Sequence, residues 1–139
     1  KASEKVRGLS FSKELDLDVP KQHLATCAVQ LAEAVKAKGI IVITKRGLMA
    51  TYACNSRPHD SPIYAFTFDP RVQRQMMLLR NVDARCIKPH NDSEQMIADA
   101  FNMLMQSGDA VVGDQFVVIS DLIVRDGVDA IQLRAIPMQ

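Results

Sequence analysis

IIVITKRGLMATY, Ile40 to Tyr52, is the stretch on which the fold turns. Its first half, Ile40 to Thr44, is an unbroken β-branched run with no polar alternation. Such a run marks a strand covered on both faces, as in a parallel sheet. Lys45, Arg46 and Gly47 interrupt it, and a helix is expected from about Gly47 to Asn55, stopping before Pro58. A joint of this kind points free N–H groups and the positive end of a helix dipole at the space beyond the strand. There Thr44 offers a hydroxyl, Lys45 and Arg46 offer charge, and Gly47 lets the backbone approach a ligand. These four are the candidate phosphate-binding residues. The same joint also occurs without any ligand, and exposed lysines are usually just solvated.

Strand and helix alternate on both sides of this joint. Pro20 suits a first helical turn, and Leu24, Ala28, Leu31 and Val35 recur at helical spacing, with Gly39 expected as the left-handed cap. Ile63 to Thr67 is the next strand. Pro70 opens a helix carrying Val72, Met76 and Leu79, and a short strand follows near Cys86. Asp92 and Gln95 form a capping-box pattern before a helix with Ile97, Ala100, Phe101 and Leu104, closed by Gly108. Gln115 to Ser120 is a strand after the Gly113-Asp114 turn. The last strand, about Asp129 to Ile136, alternates as an edge strand should.

This order predicts an α/β fold, a three-layer sandwich around a mostly parallel five-stranded sheet whose last strand is an antiparallel edge. Ligands in such sheets bind beyond the carboxyl ends of strands, near a topological switch point. The loops after Thr44, Thr67 and Ser120 lie at such ends. Residues 1–18 are polar and charge-alternating, and are read as a linker or N-terminal arm before a domain over 19–139.

Bulk properties narrow the function. With 139 residues, 47% hydrophobic and 24% charged, the chain can bury one core unaided. A net charge of +1 gives no global reason to expect nucleic acid or a membrane surface. No apolar run approaches the roughly 20 residues of a membrane span, and no signal peptide is visible. The chain begins at Lys1, so an excised domain or processed product is expected. The expected compartment is the cytoplasm, with an organelle such as a plastid as the alternative.

Cys27, Cys54 and Cys86 have no metal-ligand or disulfide spacing and are expected as reduced core thiols. His23, His59 and His90 read as isolated surface residues. Asp121, Asp126 and Asp129 crowd one loop, where turn chemistry explains aspartates as well as a cation does. Arg71, Arg74, Arg80, Arg85 and Lys88 read as the wet side of a helix, with Asp69 and Asp83 as partial neutralisers. No motif for a nucleophilic serine, a nucleotide loop or a zinc protease occurs. No catalytic residues and no metal site are expected.

Several segments taken together resemble the C-terminal domain of pyruvate kinase. KAKGIIVITKRGLMA is similar to the family's strand and effector loop. SRPHDSPIYAFTFDPRVQRQMMLLRNV is similar to the stretch in which an Arg-Pro pair precedes an apolar strand ending in threonine, followed by a helix with Arg-Gln. The match includes Arg57, Pro58, Pro62, Ile63, Thr67, Arg74, Gln75 and Leu78, and GDQFVVIS matches the Gly-Asp turn and strand near the family's end. The resemblance covers about Leu24 to Ile136.

It implies a non-catalytic regulatory and oligomerisation domain. The parent reaction, phosphoryl transfer from phosphoenolpyruvate to ADP, uses a barrel and a lid domain, and the magnesium and potassium ions it needs belong to that absent machinery. No cofactor is therefore expected in this chain. Implied partners are a second copy of the chain, a catalytic barrel domain and a phosphorylated small-molecule effector. The family's loop has the order Ser/Thr, any, Ser/Thr, Gly, any, Ser/Thr. Thr44 and Gly47 fit it, whereas Arg46 and Met49 stand where the second and third hydroxyls belong. Asp121 and Asp126 would set negative charge near a second phosphate, at a cost on the order of several kcal/mol. The sugar-phosphate site thus reads as eroded. Ala130, Gln132 and Arg134 on the last strand are the candidate interface residues. Two alternatives stand beside this reading. One is a pyruvate-kinase-like scaffold or binding module, served by the basic helix around Arg71 and Arg80. The other is a small phosphate-ligand sensor.

Overall fold

A computed structural model describes residues 20–56, 58–121 and 130–138. The arm before residue 20, Arg57 and the segment with Asp126 and Asp129 lie outside the described residues, as does the side chain of Asp121. Helix α1 runs over 20–35. It is followed by β1 (Gly39–Thr44), α2 (Leu48–Asn55), β2 (Ile63–Thr67), α3 (Pro70–Met76), β3 (Val82–Cys86), α4 (Ser93–Gln106), β4 (Gln115–Asp121) and β5 (Ala130–Ala135). The sheet order is β3-β2-β1-β4-β5, parallel except for the antiparallel β4–β5 pair. This is the α/β architecture that the alternation of elements predicts.

Every residue of β1 is buried, because β2 and β4 take its two edges and helices take its two faces. One face packs Ile40, Val42, Ile63, Ala65, Val117 and Ile119 against α1, α2 and α3. The helix residues there are mainly small (Ala25, Ala28, Ala32, Ala50 and Ala53), so the helices approach branched strand residues closely. The other face packs Ile41, Ile43, Phe66, Phe116 and Val118 against Ile97, Ala100, Phe101 and Leu104 of α4. Larger side chains fill that layer, with Tyr64 edge-on to Phe116 at a centroid distance of 6.2 Å.

Three local expectations change. First, α1 stops three residues before Gly39 with Lys36 at φ 55, and Ala37 N donates to Ala32 O at 2.9 Å, which is a Schellman ending. Gly39 instead opens β1. A Cβ there would lie 2.9 Å from Tyr64 Cε2 and 3.0 Å from the Pro62 carbonyl, so close approach, not handedness, requires the glycine. Second, Asp92 caps α4 by accepting from Glu94 N at 3.0 Å, but Gln95 turns away to Asp99. Only half of the expected box forms. Third, none of the cysteines is a core thiol. Cys27 is exposed, while the half-buried Cys54 and Cys86 donate to the Arg80 carbonyl and Gln73 Oε1.

Arg85 also departs from its solvated reading, its side chain being 15% exposed. It forks onto Asp83 (Nε to Oδ1 3.2 Å, Nη2 to Oδ2 2.9 Å) and reaches Asp109 Oδ2 at 2.7 Å and Ser107 Oγ at 2.9 Å. Its guanidinium lies over the Tyr64 ring. Edge strand β3 is thereby tied to the end of α4. Hydrogen bonds from Ser107 and then Arg85 hold the Asp109 carboxyl below its ordinary range.

A lowered folded-state value means that the unfolded chain binds the proton more tightly. The contribution is therefore present above the unfolded carboxylate value of about 4 and is lost as pH falls below it. Asp109→Asn should lower the urea midpoint at about pH 6, and the gap to the parent should shrink at about pH 3. An equal gap at both would show that the Asp109 charge carries none of this stability.

Candidate functional site

The connections place the site. From β1 the chain steps to β2 and β3 with α2 and α3 on one face, then returns past β1 to β4 with α4 on the other. The topological switch point therefore lies between the carboxyl ends of β1 and β4. Thr44 and Asp121, paired in the register, stand there.

Thr44 is fully buried. Its Oγ1 accepts from Gly47 N at 2.9 Å and so closes the turn from within. Gly47 has φ 86, a left-handed conformation that favours glycine. A Cβ on it would also meet Met76 Cγ at 3.2 Å. Its carbonyl accepts from both the backbone N and the Oγ1 of Thr51 (3.1 and 3.0 Å), which starts α2. Gly47 caps α2 without a side-chain acceptor, and no acidic residue stands in the first turn. The helix thus keeps its positive end uncompensated. Lys45 and Arg46 are exposed at the tip of this turn. Of the four candidate residues, two build the turn and two present charge. Met49, one turn further, is fully buried in the core.

One neighbour escaped the sequence reading. The register that pairs Ile43 with Phe66 sets Thr44 beside Thr67 at the end of β2. Thr67 is fully buried, and among the described residues its Oγ1 has no hydrogen-bond partner. The available signal was that IIVIT and IYAFT both end in threonine. Asp69, two residues further along the chain, caps α3 by accepting from Arg71 N at 2.9 Å, which holds its carboxyl below the usual range.

The interface candidates are not brought to this turn. Ala130, Gln132 and Arg134 lie on β5 at the far edge, each half-buried. Arg134 forks onto Glu94 of α4 at 2.8 and 2.6 Å and gives a further bond to Gln132 Oε1 at 2.9 Å. Arg134 in turn holds the Glu94 carboxyl down.

Known proteins share this fold. A family model described as the pyruvate kinase alpha/beta domain matches residues 22–131. The chain belongs to the pyruvate kinase C-terminal α/β domain family. Among curated relatives, pyruvate kinase isozyme A, chloroplastic, of Nicotiana tabacum is 27% identical over 106 residues, covering 76% of this chain and 18% of that protein. A pyruvate kinase of Agrobacterium vitis is 32% identical over 101 residues, covering 73% of this chain and 21% of that protein. Among solved structures, Cryptosporidium parvum pyruvate kinase in complex with ADP superposes with a TM-score of 0.76 at 26% identity, over 84% of this chain and 24% of that one. The chain thus spans roughly a fifth of the length of these relatives.

The two threonines of the pyruvate kinase domain make opposite demands on their hydroxyls. Thr44→Val would strand the Gly47 N–H and should cost about 1–3 kcal/mol in urea unfolding. Thr67→Val replaces an unpartnered hydroxyl by a methyl of the same shape and should be neutral or stabilising. A Thr67→Val loss as large as that of Thr44→Val would mean that the Thr67 hydroxyl has a bonding role of its own.

Proposed function

We propose that this chain is a non-catalytic regulatory and assembly domain of a pyruvate kinase, with an effector loop that keeps its shape but has lost most of its phosphate chemistry. The reading rests on one observation above all. Of the three loop positions that the family resemblance assigns to phosphate-binding hydroxyls, none offers an exposed one. Thr44 is buried and holds its own turn, Arg46 replaces the second hydroxyl, and Met49 is buried in the core. Lys45 and Arg46, beside the uncompensated end of α2, retain enough positive charge to hold a single small anion.

Phosphoryl transfer and its magnesium and potassium ions belong, in this reading, to a catalytic barrel to which the domain is joined. Among the described residues no three His, Cys, Asp or Glu side chains stand close enough to hold a metal ion. The assembly role is supported by the outer edge of β5, which no other strand pairs with among the described residues. Among the described residues no helix is long and apolar enough to cross a membrane. The proposed compartment is the cytoplasm, and the chloroplastic relatives support a plastid as the alternative.

Titration calorimetry with fructose bisphosphate should give no signal tighter than about 1 mM, roughly −4 kcal/mol. The chain alone should show only background turnover of phosphoenolpyruvate and ADP. A micromolar affinity, lost when Lys45 and Arg46 are both changed to alanine, would restore the loop as a working effector site.

A further inference from the structure

We propose that the acidic segment Glu14 to Asp18 of this chain's own arm docks in the polar cleft between the end of α2 and the α3–β3 turn, where it covers Arg80. The inference goes beyond the effector-loop and assembly readings and depends on neither.

The cleft has a volume of about 720 Å³ and is lined by Cys54, Asn55, Pro58, His59, Arg80 and Asn81. Bonds behind its surface fix its walls. Cys54 Sγ donates to the Arg80 carbonyl at 3.1 Å, which ties α2 to the turn. Glu33 of α1 accepts from the backbone N–H groups of His59 and Asp60, which holds the other wall. No carboxylate lines the cleft. Among the described residues the Arg80 guanidinium has no hydrogen-bond or ion-pair partner, in contrast to Arg85 and Arg134. Shortly before it in the chain, Met77 and Leu78 are 62% and 87% exposed. This surface thus presents a cation beside two exposed apolar side chains.

Charge and position select the occupant. Glu14, Leu15, Asp16, Leu17 and Asp18 alternate acid with leucine, which complements a cation flanked by apolar groups. The segment is also tethered beside the cleft. Gln22 and Thr26, near the start of α1, line a smaller hollow with Tyr52, Asn55 and Ser56, and Asn55 borders both spaces. Glu14 to Val19 can extend over about 20 Å. Exposed ion pairs contribute little on their own. Tethering offsets that weakness, because a segment at an effective concentration on the order of millimolar half-fills even a millimolar site. A docked arm closes the cleft to other anions.

Cys54 reports the occupancy, since it lines the cleft, and the comparably buried Cys86 at the other end of β3 is the reference. The full chain should be labelled with iodoacetamide and each cysteine followed by mass spectrometry. With Glu14→Gln, Asp16→Asn and Asp18→Asn together, Cys54 should react about twofold faster or more, and Cys86 should not change. Arg80→Gln should also speed Cys54, and adding the arm changes to it should speed it no further. Exchanging the signs, with Arg80→Glu and all three acids changed to lysine, should restore the slow rate. Equal Cys54 rates in the parent and the arm variant would overturn the proposal, and so would a sign exchange that restores nothing. Protection that grows with protein concentration would assign the arm to a neighbouring copy and overturn docking within one chain.

Discussion

Burial of β1 on both faces and along both edges is the constraint on which the rest of this structure depends. A strand in that position can use neither polar side chains nor free backbone groups, because water reaches none of them. It must be apolar throughout, and its neighbours must be strands. The demand spreads outward. β2 and β4 meet the edges of β1 and are themselves buried over most of their length. Small residues on α1 and α2 let these helices sit closely on the branched face beside α3, while the bulkier α4 packs on the other.

The same constraint explains where the chain can turn. Thr44 is the first polar residue after the apolar run, and its hydroxyl satisfies the backbone of its own turn before any ligand is considered. The turn is therefore a structural joint first. Charge at its tip is an addition, and the two basic residues there are free to change without touching the core. The shape of this turn is thus set by the core, and the charge at its tip is set separately. The Thr44 turn persists because the fold needs it.

At the two ends of the sheet, the same exposed-edge problem has two solutions. At β3, a glutamine side chain takes the Ala84 carbonyl, and the charged pair Asp83 and Arg85 flanks it. At β5 the charged Arg134 is turned onto Glu94 of α4, and among the described residues no other element pairs with the outer edge of the strand. Edges left in this state are where sheets extend.

Much of this was legible in the amino-acid order. Ile40 to Thr44 by itself determined a strand buried on both faces, because unbroken β-branched runs fit nowhere else. Alternation of strand and helix signals set the α/β class, and the alternating last strand marked the edge. Other features were decided only by contacts between residues far apart in the chain. Gly39 reads as a helix cap until Tyr64 and Pro62 are found pressed against it, and Arg85 reads as a wet surface charge until Asp109 and Tyr64 surround it. Thr44 and Thr67 become neighbours only through strand register. Local pattern reports which groups must leave water, since that depends on the side chain alone. Which partner each polar group then finds depends on tertiary packing, and no single stretch of sequence contains it.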